Sequence, residues 1–239
     1  MNLAFAGIEY PRVAMVTITG TATMDATAHL IANFALQHLK AAITFSNHVV
    51  GLETKHINEP FGAFFEDIRS YASACYLSSV ASLEALINEF FIAHEGKLRS
   101  QLCDFERVFW GKKGIVHKPT LIKYQHALLT LSLPQIDPDC TEYQDVRALI
   151  GLRNSLVHYK PIWDLDRKDR IDLIEILNSR FSLSPFLEES AGFISMRCMT
   201  AGCTKWAISS TLTFMREFHQ RANLDPQKME GFWELSELF

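Results

Sequence analysis

The string Leu152-Arg153-Asn154-Ser155-Leu156-Val157-His158-Tyr159 closes an apolar stretch of the chain. Three of its side chains have chemistry that fits together. Arg153 carries a planar fork of donors matched to phosphate oxygens and can stabilise charge developing there. His158 brings an imidazole, the side-chain type that most often serves as general acid or base. Asn154 can orient an imidazole or hold a phosphate oxygen. The trio suits phosphoryl transfer on RNA, where a ribose 2′-OH is an internal nucleophile and neither metal nor other cofactor is required. On a helix Asn154 and His158 stand four apart and share a face, with Tyr159 beside them as a supporting side chain. Arg153 and His158 are five steps apart, a rotation of about 140°. At the end of a helix the imidazole also meets orphan carbonyls and the negative end of the dipole. The alternative is therefore a purely structural pair, with Arg153 anchored by a carboxylate and His158 capping carbonyls.

The spacing alone is weak. Twelve arginines and nine histidines in 239 residues give about one chance occurrence of Arg-x(4–6)-His. Its context is more specific: the arginine lies within an apolar helical pattern, asparagine follows it, and Pro161 stands just beyond the histidine.

Two further groups of side chains are candidates for this site. Glu84 and Asn88 lie four apart in an otherwise apolar segment. A buried carboxylate needs a partner, because desolvating it alone is costly. Glu84 is therefore expected to pair with Arg153 or a neighbouring backbone donor and support the site; the alternative is a structural salt bridge or an exposed helix edge. Between residues 107 and 136 there is no acid, and Lys112, Lys113 and Lys118 fall in a loop there with two glycines. Such a loop can contact an RNA backbone through charge, without reading sequence. The alternative is a solvated surface loop. Cys203 and Trp206 read as packing residues, and His117 and His126 match no metal-site spacing.

Hydrophobic periodicity supplies the elements that must position these groups. Residues 12–18 are β-branched and precede a Thr-Gly-Thr turn, so a short strand or hairpin is expected at the front. The rest is helical in pattern. Helices are expected over 25–45, with Asp25 as N-cap, and over 64–94, which is apolar nearly all round and belongs at a bundle centre. Further helices are expected over 119–131, 141–159 (capped by Asp139 or Thr141), 167–180, 204–222 and 225–239, with loops at 110–119 and 134–139. This is an all-α helical bundle with a short N-terminal β element. The organisation reads as an N-terminal strand and first helix over 1–60 and a helical domain over 61–239.

Composition bounds the function. Hydrophobic residues make up 48% and charged residues 21%, which fits an ordinary globular domain and excludes a disordered tail. A net charge of −4 argues against a broadly basic nucleic-acid coat and leaves room for a local basic cleft. Five cysteines without a CxxC pair suggest neither a disulfide framework nor a zinc ribbon, and a reduced cytoplasmic compartment is the simplest expectation. The N-terminus lacks the pattern of a secretory signal, and no uninterrupted apolar run of about 18 residues predicts a membrane span. There is no GxGxxG, GxxxxGK[ST] or GxSxG motif.

The Arg-Asn-x-x-x-His string at the end of a core helix resembles the mark of the HEPN superfamily, an Arg-x(4–6)-His motif often with asparagine after the arginine. The segment Ser82-Leu83-Glu84-Ala85-Leu86-Ile87-Asn88-Glu89-Phe90 is similar to that family's long first core helix. A looser likeness extends over residues 64–222. Within the superfamily the chain resembles a group of bacterial proteins through Tyr124-Gln125-His126-Ala127-Leu128 and Gly202-Cys203-Thr204-Lys205-Trp206. The resemblance implies a helical bundle that forms a homodimer, with two Arg–His motifs in one cleft. It implies a metal-independent RNA endonuclease of toxin–antitoxin or defence systems, with an antitoxin protein as partner. It equally admits a non-catalytic module that binds RNA, nucleotides or proteins. The first 60 residues lie outside the likeness.

Overall fold

The computed structural model describes residues 34–160, 171–225 and 230–236, and every regular element among them is helical. The predicted strand, its hairpin and the start at Asp25 lie outside the described residues. The chain forms α1 (Ala35–His56), α2 (Phe64–Ala93), α3 (Glu95–Gln101), α4 (Thr120–Thr130), α5 (Thr141–Val157), α6 (Ile171–Asn178), α7 (Ala201–Arg221) and α8 (Glu230–Ser236). Two five-residue π-helical turns, Glu106–Trp110 and Phe193–Arg197, and a 3-10 turn, Ile115–His117, lie between them.

The bundle is built around α2, a helix of 30 residues. By length and composition alone α2 would also cross a membrane, yet 56% of its most apolar window is buried inside the fold. Two apolar clusters divide its length. At its C-terminal half Leu83, Ile87, Phe90 and Phe91 meet Leu39 of α1, Phe109, Tyr124 and Leu128 of α4, and Phe214 and Phe218 of α7. At its N-terminal half Phe65, Ile68, Ala72 and Tyr76 meet Val49 of α1, Leu149 and Leu152 of α5, and Cys203 and Ala207 of α7. Full burial of each large side chain contributes on the order of 1.5–3 kcal/mol. Two phenols lock the arrangement. Tyr124 Oη donates to the Leu83 carbonyl at 2.8 Å and Tyr76 Oη donates to that of Cys198 at 2.6 Å.

α1 runs antiparallel to α2. Its first amides, Phe34 and Ala35, donate to Glu89 Oε1 near the end of α2 at 2.7 and 2.9 Å. At the other end His56 stacks on Phe64 at 4.3 Å. α1 continues to His56, beyond the expected end near residue 45, because Ser46 and Val49 still face the core. Ser46 is buried and shares a 2.8 Å hydrogen bond with the Thr204 hydroxyl. α7 starts at Ala201, earlier than expected. Thr200 Oγ1 accepts from the Gly202 amide and Glu53 of α1 accepts from that of Ala201 at 2.9 Å.

Candidate functional site at the end of α5

α5 begins after Cys140, so neither Asp139 nor Thr141 is its N-cap, and no side chain bonds the first amides. Asp137 instead folds the preceding turn, its Oδ1 accepting from the Asp139 amide at 3.0 Å. Ala148, Leu149 and Leu152 point into the second cluster and fix the rotation of the helix. A Cβ at Gly151 would come within 3.1 Å of the Leu173 side chain, so α6 lies close there. With that rotation Arg153 falls at the edge of the buried stripe and Asn154 faces solvent.

The helix stops at Val157, two residues earlier than expected. His158 is its C-cap at φ −103° and ψ 35°, and its amide donates to the Asn154 carbonyl at 3.0 Å. His158 and Tyr159 are exposed. Leu156, Val157 and Tyr159 border a depression of about 450 Å³ with Ser73 and Leu77 of α2 and Met199. Its one arginine, Arg69, is held by Glu66 at 3.0 Å.

Arg153 is unusual in its surroundings. Its Nε is buried and has no hydrogen-bond partner, and among the described residues no carboxylate forms an ion pair with it. An unsatisfied buried donor costs about 1–3 kcal/mol. The anchoring carboxylate of the structural alternative is thus not found among the described residues.

Glu84 does not pair with Arg153. Its Oε1 lies 3.4 Å from Lys123 Nζ, and Asn88 Oδ1 accepts from the same ammonium at 3.0 Å. The physical reason is the register of α4. Thr120, Lys123, Tyr124, Ala127 and Leu128 form its buried face, so the lysine enters the bundle and takes both polar groups of α2. The Lys123 side chain is 4% exposed and that of Glu84 47%. Glu84 and Asn88 therefore serve a buried lysine, Lys123, which the sequence places only among the cations of the acid-free run from 107 to 136. Its signal was an i, i+3, i+4 stripe on α4 with one ammonium in it.

Lys112, Lys113 and Lys118 come together on one wall system. With Arg107 and His126 they line an open groove of about 630 Å³. The Gly111 carbonyl accepts from the Gly114 amide at 2.7 Å, which closes a tight turn with the two lysines at its tip. A Cβ on Gly114 would sit 2.3 Å from the Phe109 carbonyl oxygen, so this turn has room only for glycine. Phe109 is anchored edge-on against Phe91 at 4.9 Å. The α5 depression is set beside Leu77, and Leu77 and Phe91 are about 21 Å apart along α2. The basic groove and the Arg153–His158 terminus thus belong to opposite halves of the bundle.

The buried thiols are poor nucleophiles. Burial pushes the Cys75 thiol up to about 12, and burial also holds Cys203 well above its ordinary range. Cys203 packs within the second cluster. Among the described residues, no three His, Cys, Asp or Glu side chains are placed to hold a metal ion. No protein-family model, curated protein or solved structure matches the chain.

Proposed function

We propose that this protein is a metal-independent RNA endonuclease of HEPN type, acting at the end of α5. The observation that carries this reading is the Arg153 guanidinium, whose buried Nε has no hydrogen-bond partner among the described residues, next to the exposed Asn154 and five residues before the exposed His158. In the proposed reaction His158 takes the proton of a ribose 2′-OH. The 2′-oxygen attacks the adjacent phosphorus, and the bond to the 5′-oxygen breaks. That oxygen leaves as a hydroxyl on taking a proton from a second His158, present as the imidazolium and contributed by the other copy of a homodimer, which is left neutral. The products are a 2′,3′-cyclic phosphate and a 5′-hydroxyl. Arg153 offsets the charge that grows on the non-bridging oxygens, and Asn154 positions the phosphate. The same reading carries a cytoplasmic setting, a toxin or defence role, and a protein antitoxin as partner.

A second reading, a non-catalytic module that binds RNA, nucleotides or proteins, is favoured by one observation. Within a single chain, the described residues give the His158 ring no hydrogen bond to fix its tautomer. RNA cleavage in the presence of EDTA separates the two. His158→Ala and Arg153→Ala are each expected to slow cleavage by about 10²–10⁴ while the helical circular dichroism spectrum persists. Cleavage that survives in both variants removes the site, and no cleavage by the wild-type protein leaves the binding module.

A further inference from the structure

The groove between the Gly111–Gly114 turn and α4 holds a concentration of positive charge in a chain whose net charge is −4. Arg107, Lys112, Lys113 and Lys118 line it, and among the described residues no carboxylate does. Among the described residues only Arg107 of the four has an acidic partner, Asp104 at 2.5 Å, and that pair is largely exposed. Lys112, Lys113 and Lys118 are exposed and make no ion pair among the described residues. The lysines are not scattered on a pliable surface. The turn that presents two of them is closed by its own hydrogen bond and admits no side chain at Gly111 or Gly114, where a Cβ would meet a backbone oxygen at 2.3 Å. It is tied to the core through Phe109, which is buried. Repulsion among like charges held together this way disfavours the empty groove, and a bound anion relieves it.

We infer that this groove binds the phosphates of an RNA strand at a distance from the bond that is cut. Three lysines with no ion pair among the described residues, lining an open channel beside Arg107, match the phosphates of a chain better than one small anion. The channel walls also include Leu129, 58% exposed, which gives a base or sugar an apolar surface. RNA as the ligand rests on the proposed function. The groove is a second contact region, separate from α5, that supplies affinity rather than chemistry.

The test is fluorescence anisotropy of a labelled single-stranded RNA over a range of salt, with product analysis of the same RNA on a gel in EDTA. Lys112→Glu with Lys113→Glu is expected to weaken binding at low salt by tenfold or more. Loss of two phosphate contacts is expected to reduce the slope of log K against log salt by about 1.4. Lys40→Glu with Lys55→Glu, two exposed positions on α1, changes net charge equally and is expected to lose far less affinity. Wild-type affinity in the Lys112/Lys113 variant, a loss equalled by the α1 variant, or no RNA binding by the wild-type protein overturns the proposal. Lysine-dependent binding of RNA that is never cut upholds the groove and rejects the nuclease. Cleavage with unchanged affinity in the Lys112/Lys113 variant does the reverse.

Discussion

Lys123 shows how one ammonium is kept inside a bundle. Asn88 supplies the shorter bond, 3.0 Å against 3.4 Å for Glu84. Asn88→Ala is therefore expected to destabilise the fold by about 1.5–3 kcal/mol, the value of a hydrogen bond to a charged group. Glu84→Gln keeps an acceptor and is expected to cost less. Urea midpoints rank the two, and an equal or inverted ranking would show that the carboxylate dominates. Reading these residues from sequence located polar groups on a core helix; the pairing of Glu84 with Arg153 does not form, and the structural salt bridge offered as its alternative does, with Lys123. Glu84 and Asn88 announce themselves by spacing within one helix. Which distant cation meets them depends on the register between α2 and α4, and no local pattern carries that. The exposed Asn154 and His158 were legible because a helix end reveals which residues it abandons to solvent. That Arg153 Nε is buried without a hydrogen-bond partner among the described residues shows only in three dimensions.

At the scale of elements, the main helices were legible from periodicity, and their ends were less so. α1 runs past its expected end because Val49 stays buried and Ser46 between the apolar positions is satisfied by Thr204, 158 positions away in the sequence. Two helices are capped from elsewhere. Glu89 of α2 receives the first amides of α1, and Glu53 of α1 receives the Ala201 amide of α7. Burial raises both carboxyls from their ordinary range, and the amide bonds they accept pull partly the other way. A search for caps within each helix's own flanking residues cannot find either. The Gly111–Gly114 turn is a different case, since two lysines flanked by glycines stand visibly in the sequence. Gly114 has an ordinary φ of −68°, so space rather than dihedral angle excludes a side chain. Gly114→Ala is expected to cost about 1–3 kcal/mol through overpacking. Thermal melting measures it, and a variant as stable as wild type would show that the turn can yield.

For the whole molecule, pH acts through a histidine far from the α5 terminus. His219 on α7 is buried, its Nε2 has no hydrogen-bond partner, and its ring stands edge-on to Trp233 of α8 at 6.2 Å. Burial lowers its pKa, and Asp225 opposes that only in part. A histidine held neutral in the fold must take up a proton on unfolding. Its contribution is complete above the free imidazole value of about 6.5 and is lost as pH falls from there through the lowered folded value. The melting temperature of the wild-type protein is expected to decline across that window more steeply than that of His219→Leu. Parallel profiles would place the titration elsewhere. The N-terminal segment read from sequence as separate, residues 1–60, includes α1, and α1 shares both apolar clusters with α2 and α7. Hydrophobic spacing predicted that helix but not what it packs against.

α2 passes through both clusters and contributes large side chains to each. Neither cluster owns a complete interior without it. A truncated chain that stopped partway along α2 would leave raw apolar surface on whatever remained. Shortening this protein from either side into that helix would yield aggregates, not a smaller domain.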